Sequence, residues 1–278
     1  METTLDFGHH RPMEIETSSF GMQLRQWRVR RRFTQLALAL EADISQRHLS
    51  FVESGRSKPS REMVLRLAEH LRVPLGEQNR MLVAAGYAPA YGDGLLTSPD
   101  MVRTREMIDR LLAGYQPYPA LALDRSWTIL AMNKAVPVLT EGVDPTLLTG
   151  QVNALRLTLH PQGLAPRIVN LPAWRSHILR RLSHDIELSA DQSLIDLLEE
   201  LKSYPGGHRA AGRVAYQPSD IAVPLVLDHP RGQLSFISAT TIFGTAVNIT
   251  LADMVVEAFL PADGWTAEFL RGEFDPVD

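Results

Sequence analysis

Two capped helical segments with only three residues between them fix what residues 34–55 can become. Thr34 offers an N-cap oxygen ahead of a helix over Gln35–Ala42, and Ser45 offers one ahead of a helix over Gln46–Ser54, which Gly55 stops. A connection this short turns sharply only through a residue in the left-handed conformation, and Asp43 tolerates that better than most side chains. Where the two helices cross, one must carry a small residue, and Ala39 stands there. Leu36, Ile44, Leu49 and Val52 are spaced to pin the pair together. Around this core the spacing predicts three more helices. The first runs from Ser19, its N-cap, to about Arg32, with Phe20, Leu24, Trp27 and Val29 as its apolar residues. Ser60 caps Arg61–Leu71, where Met63, Leu67 and Leu71 recur with Val64 and Ala68 beside them. Pro74 opens Leu75–Ala85, closed by Gly86. The expectation is an all-α bundle of five helices.

Charge singles out the same stretch. Residues 18–91 hold twelve Arg or Lys against six Asp or Glu, whereas residues 92–278 hold fifteen against twenty-two and the whole chain stands at −4. Only this segment is suited to meet a polyanion. Within it, Gln46, Arg47 and His48 open the third helix with donors and acceptors suited to base edges, Ser45 lies just ahead of them, and Phe51 is placed to touch a thymine methyl. Gln35 is placed to bond a phosphate beside the free backbone N–H groups of its helix. Arg56, Ser57 and Lys58 follow for the DNA backbone across the groove. The plain alternative, that the basic residues only solvate a bundle, accounts for the charge but not for its coincidence with caps, turn and spacing.

The segment TQLALALEADISQRHLSFVESGRSKPS resembles the XRE family of phage-repressor-like helix-turn-helix regulators, and the likeness covers about residues 19–86. Its Gln opening helix two, small residue four later, Ser-Gln at helix three and Glu-x-Gly at its end stand in register; Asp43 replaces the usual turn glycine. The resemblance implies binding to duplex DNA, usually as a homodimer on two half-sites about one helical turn apart, and a pairing of Arg28 with Glu53 behind the reading helix.

At 278 residues the chain has room for two domains, and AGYAPAYGDGLLTSPD reads as a linker between one at 18–91 and another at 98–270. The second opens with a helix over about Ser98–Leu112, followed by a β-hairpin over 120–132 turning at Asp124–Ser126. Helical patterns follow at 171–183 and 192–202. YPGGHRAAGR (204–213) has the composition of a mobile loop. A second hairpin, IAVPLVLD with LSFISATTIF, then leads through AVNIT to MVVEAFL. This order predicts an α+β domain, an antiparallel sheet with helices on one face. PYPALALDRSWTILAMN, NALRLTLHP with Trp174 downstream, LSFISATTIF and EAFLPAD resemble the MmyB-like ligand-binding domain that follows XRE-type domains in bacterial regulators. The resemblance implies a PAS-like fold and a bound fatty acid or similar apolar molecule; the Gly-rich 204–216 region is shorter than the family's. Such a ligand needs an apolar slot and a polar anchor. Tyr118, Leu121, Trp127, Ile129, Trp174, Ile178, Phe236 and Ile237 are candidates for the slot, and Arg156, Arg167 or His177 for the anchor. The apolar set reads equally as ordinary core, and the arginines as solvated or ion-paired.

Other classes find less support. With no cysteine there is no disulfide, thiol catalysis or Cys-based zinc site. No apolar run approaches the ~18 residues of a membrane span, and residues 1–17 lack the apolar core of a signal peptide and read as a tail, so the cytoplasm is the default location. The nucleophile-elbow, zincin, P-loop and dinucleotide motifs of common enzymes do not occur. His177 and His184 lie two turns apart without a third ligand, and Glu199 and Glu200 read as a solvated face. No cofactor beyond a bound fatty acid is expected. A scaffold that only dimerises, or an enzyme fused to a DNA-binding module, are the alternatives to a sensor.

Overall fold

The Thr34 hydroxyl oxygen accepts a hydrogen bond from the Ala37 N–H at 3.0 Å and that of Ser45 accepts from the His48 N–H at 3.1 Å. Behind these caps run α2 (Gln35–Glu41) and α3 (Gln46–Glu53). Asp43 adopts φ 52°, and the Ile44 N–H returns to the Ala39 carbonyl at 2.9 Å, which closes the turn. Before this pair lies α1 (Phe20–Arg30); after it come α4 (Arg61–His70), capped by Ser60, and α5 (Leu75–Ala84). The computed structural model describes residues 19–92, 101–189, 191–206, 222–243 and 249–272. The chain divides at Tyr91 and Gly92 into two compact units.

The first unit packs Phe20, Leu24, Trp27, Leu38, Leu49, Val52 and Leu67, among others, into one core around Ala39. Three expectations fail here. Leu36 is 53% exposed and Val29 59%. In α2 the helical repeat turns Leu38, Ala39 and Ala42 inward, so Leu36 and Leu40 fall on the opposite face. Ser19 stands at the N-cap position of α1 but makes no side-chain cap. Sequence spacing also passes over Gly21. A Cβ there would lie 2.4 Å from the Glu53 carbonyl oxygen and 2.7 Å from that of Val52, so α1 rests directly on the C-terminal backbone of α3.

The second unit begins with α6 (Val102–Ala113), β1 (Ala120–Leu123) and β2 (Ile129–Met132). The short helices α7 (Pro137–Thr140) and α8 (Ala154–Leu159) follow, with 3-10 turns at Pro145–Leu148 and Ala165–Arg167, and then the long α9 (Leu171–Ser189) and α10 (Gln192–Ser203). The chain continues through β3 (Leu225–His229), β4 (Gly232–Ile242), α11 (Ile249–Ala252), β5 (Val255–Pro261) and α12 (Gly264–Arg271). The strands form one antiparallel sheet in the order β2-β1-β5-β4-β3, with Leu121 and Thr240 flanking Glu257 across its centre.

Helices cover both faces of this sheet, where one was expected. Leu121, Leu123, Leu225, Leu227, Leu234 and Phe236 face a large core shared with α8, α9 and α10. Ala120, Ala122, Val256 and Ala258 face Ile108 and Leu112 of α6. Three alanines on that side let a helix approach closely. Asn133 fixes the arrangement: its amide donates to the Leu112 and Tyr118 carbonyls and its oxygen accepts from the Ala120 N–H. The expected start of α6 at Ser98, residues 207–213 of the Gly-rich loop, Ile221 and residues 246–248 lie outside the described residues. Ile249 and Thr250, at the end of the AVNIT segment, belong to α11.

Replacing Gly21 by Ala should force α1 off α3 and lower the stability of the first unit by about 1–3 kcal/mol. In urea unfolding of the full chain, the transition of that unit should move to lower concentration while that of the second unit stays in place.

Candidate nucleic-acid interface and ligand slot

The reading helix is held from behind. Arg28 Nε and Nη2 donate to the two carboxylate oxygens of Glu53 at 2.6 and 3.0 Å, and Nη1 donates to the Phe33 carbonyl at 2.9 Å. Gln35 Nε2 adds a bond to Glu53 Oε2 at 2.8 Å. A bidentate guanidinium–carboxylate pair fixes direction as well as distance. The amide nitrogen of Gln35, expected on a phosphate, is thus engaged within the protein, and the Ser45 hydroxyl oxygen serves as a cap. Gln46 and Arg47 are exposed, while His48 and Phe51 are half-buried. The Arg47 guanidinium lies 5.3 Å from the centre of the Phe51 ring, an apolar shelf beneath the charge. Beyond α3, the Arg56 and Ser57 N–H groups both donate to the Phe51 carbonyl, which ties the basic turn to the helix end. Arg56 and Lys58 are exposed and Ser57 is half-buried. Lys58 lies over Tyr87, whose hydroxyl donates to the Pro59 carbonyl at 2.8 Å.

In the second unit an apolar slot runs between the β1–β2 hairpin, α8, α9 and β5. Leu121, Trp127, Ile129, Trp174, His177 and Ile178 share it, with Leu123, Leu155, Leu157 and Phe259 around them. Its free volume is about 60 Å³, room for only a few waters. The other expected residues lie elsewhere. Phe236 is buried in the same core without lining the slot, and Ile237, next on β4, faces the opposite side of the sheet and is 41% exposed. Tyr118 is half-buried away from it, its carbonyl bonded to Asn133. Arg156 donates through Nε and Nη2 to Glu200 at 2.7 Å each. Arg167 is held by the Leu139, Glu141 and Asp228 carbonyls. Neither guanidinium lines the slot: Arg156 is committed to Glu200, and Arg167 is held by carbonyls through Nε and Nη1 while its buried Nη2 has no partner among the described residues.

The charges that do line it are Arg181 and Glu257, which the sequence reading missed. Arg181 donates to Glu257 Oε1 at 2.9 Å and to Thr240 Oγ1 at 3.1 Å, and its guanidinium lies 4.4 Å from the Trp127 ring centre. The signal for Arg181 was present: Trp174, His177, Ile178 and Arg181 repeat at i, i+3, i+4, i+7 along one helix face. Glu257 had none, since a lone acid in a strand does not reveal which face is covered. Trp127, expected within a strand, has φ 65°, a strained conformation for a bulky residue, and β2 begins only at Ile129. Asp124 builds the turn before it by accepting from the Ser126 and Thr128 N–H groups at 2.8 Å each. Burial, together with Arg181 and Arg180, holds His177 below the usual imidazole range, and its ring stacks on Trp174.

Residues 104–272 match the family described as MmyB-like transcription regulator ligand binding domain, and residues 24–78 match a helix-turn-helix family. The chain belongs to the MmyB-like transcription regulators. No curated protein matches it. In this regulator the helix-turn-helix match spans α2, α3 and the Arg28–Glu53 pair, and the ligand-domain match spans the whole described sheet and the slot. Among the described residues no helix is long and apolar enough to cross a membrane.

Glu199 and Glu200 do not behave alike, although both were read as a solvated face. Glu199 pairs with Lys202 on its own helix, but Glu200 binds Arg156 of α8 and accepts from the Tyr204 hydroxyl. The hydrogen bonds from Arg156 hold the Glu200 carboxyl down to about 2, and burial with the bond to Glu200 pushes Tyr204 up to about 12. A carboxyl depressed in the folded state stabilises fully above its unfolded value, near 4.5, and loses that contribution as pH falls toward about 2. Glu200→Gln should therefore flatten the acid limb of the stability curve between those values, measured as unfolding midpoint against pH for both proteins.

Proposed function

We propose that this chain is a sequence-specific transcription regulator whose first unit reads operator DNA through α3 and whose second unit senses a small apolar ligand carrying a fatty-acyl chain. The observation that carries the DNA reading is the exposure of Gln46 and Arg47 on a capped helix anchored from behind by Arg28 and Glu53. Each contact class has its own signature. Arg47→Ala should relax preference at one base pair by about 1–3 kcal/mol, as for loss of an arginine on guanine. Arg56→Ala should instead weaken binding to all sequences alike and reduce the salt slope by ~1. Binding measured on a panel of single-base operator variants, at several salt concentrations, separates the two; a changed preferred sequence for Arg56→Ala would reverse the assignment.

The sensor reading rests on the slot. Its walls are almost wholly apolar, and each buried methylene of a ligand contributes about 0.8 kcal/mol. With about 60 Å³ free, an alkyl chain enters only if the walls part, so a ligand distinguishes a closed arrangement from an open one. That difference in affinity is what allows a ligand to shift an equilibrium, typically by ~1 to 3 kcal/mol. The protein acts as a homodimer in the cytoplasm, its second unit PAS-like, and ligand changes the spacing of two reading helices over two half-sites; it is a binding protein rather than an enzyme. The near-filled slot also favours a second reading, in which this unit is a dimerising scaffold. Native mass spectrometry of the purified protein reports subunit count and retained lipid together. Operator titrations with lipid-loaded and delipidated protein should differ by about five- to 150-fold; identical affinities would leave only the scaffold.

A further inference from the structure

Trp174 lines the slot and is buried, 4% exposed, yet its indole N–H has no hydrogen-bond partner among the described residues. Buried polar groups are almost always bonded, so a bare donor on a residue that lines an apolar slot calls for an oxygen that no described residue supplies. Indole nitrogen donates only, so the missing partner is an acceptor.

The charges in the slot are already matched. Of the nineteen lining residues, only Arg181, Glu257 and His177 can ionise. Arg181 is committed to Glu257 and Thr240 and stacks on Trp127. His177 is held toward its neutral form by burial, and by Arg181 and Arg180. Asp185, one turn beyond Arg181, is a further acid beside Trp127 and Arg181, biased by burial toward its protonated form. Glu257 stands on the central strand with its side chain 7% exposed. An ionised head group entering here would face a carboxylate whose counter-ion among the described residues, Arg181, is already engaged, and detaching it would leave Glu257 buried and unpaired.

We infer that the slot takes a neutral acyl compound, an amide, ester or alcohol, whose oxygen accepts from the Trp174 indole N–H, and that Glu257 excludes the ionised fatty acid. This rests on the reading of the slot as a ligand site and narrows the ligand's head group. The amide fits best, because its carbonyl meets Trp174 while its N–H groups are compatible with a carboxylate in the same slot.

The test is titration calorimetry of the delipidated full chain near neutral pH with octanamide and with octanoate, which share one alkyl chain. Octanamide should bind about tenfold tighter or more. Glu257→Gln should raise octanoate affinity and narrow that gap, and Trp174→Phe, which keeps the ring and removes the donor, should weaken octanamide several-fold with little effect on octanoate. Octanoate binding as tightly as octanamide to the unaltered protein overturns the inference while leaving the sensor reading intact. Failure of both compounds to bind overturns the two together. If Glu257→Gln proves unfolded by its melting curve, the comparison in the unaltered protein and in Trp174→Phe still decides.

Discussion

Glu53 is the point to which the DNA-reading half of the molecule is fastened. Its two carboxylate oxygens take three hydrogen bonds, two from Arg28 of α1 and one from Gln35 of α2, while its own backbone carbonyl lies against Gly21. Helices one and two thus meet the last residue of helix three, and the orientation of that helix is set at its far end. The Arg28 and Glu53 side chains are only 11% and 4% exposed, so the cost of removing both charges from water is substantial and the net contribution to stability is small. What the pair supplies is direction. With one face of α3 held to α1 and α2, Gln46 and Arg47 are left facing outward.

The second unit has an analogous buried charge with a different use. Glu257 occupies a core-facing position on the central strand, opposite Leu121 and Thr240, where an apolar residue would be the ordinary choice. Arg181 reaches down from α9 to meet it and covers Trp127, whose backbone is held in a left-handed conformation. Strain of this kind persists only where the surroundings over-determine it. Here burial of the indole and the guanidinium stacked on it do so, and strained backbone, ion pair and apolar slot meet at one place. That clustering favours a working site over plain core.

Local rules were legible in the sequence and long-range pairings were not. Thr34, Ser45 and Ser60 announce their helices because a cap depends on residues three apart, and Asp43 announces its turn because few side chains tolerate its backbone angles. The seven residues of α2 gave an ambiguous stripe, since Leu36, Leu38 and Leu40 alternate through two turns and only the fold decides that Leu38 is buried. Helices α7 and α8 are too short for a periodic signal. Arg156 and Glu200, like Arg181 and Glu257, are brought together by folding across many residues, and an arginine proposed as a ligand anchor turned out to be spent on a partner that spacing could not name. Six of the eleven residues proposed for the slot nevertheless line it; Leu121, Ile129, Trp174 and Ile178 do so because inward-facing apolar positions on strand and helix follow from periodicity.

The strand order has a further consequence, for the ribosome rather than the folded state. The middle strand of the sheet, β5, is the last of the five in sequence, and it alone joins the β1–β2 hairpin to the β3–β4 hairpin. Ala120 waits for Ala258. During synthesis both hairpins therefore emerge with an unpaired edge, and neither can complete its ladder until the central strand has left the exit tunnel. Such non-local closure is intrinsically slow and leaves open strands available to neighbouring chains. Until that strand emerges, a finished helical module is followed by an unfinished sheet.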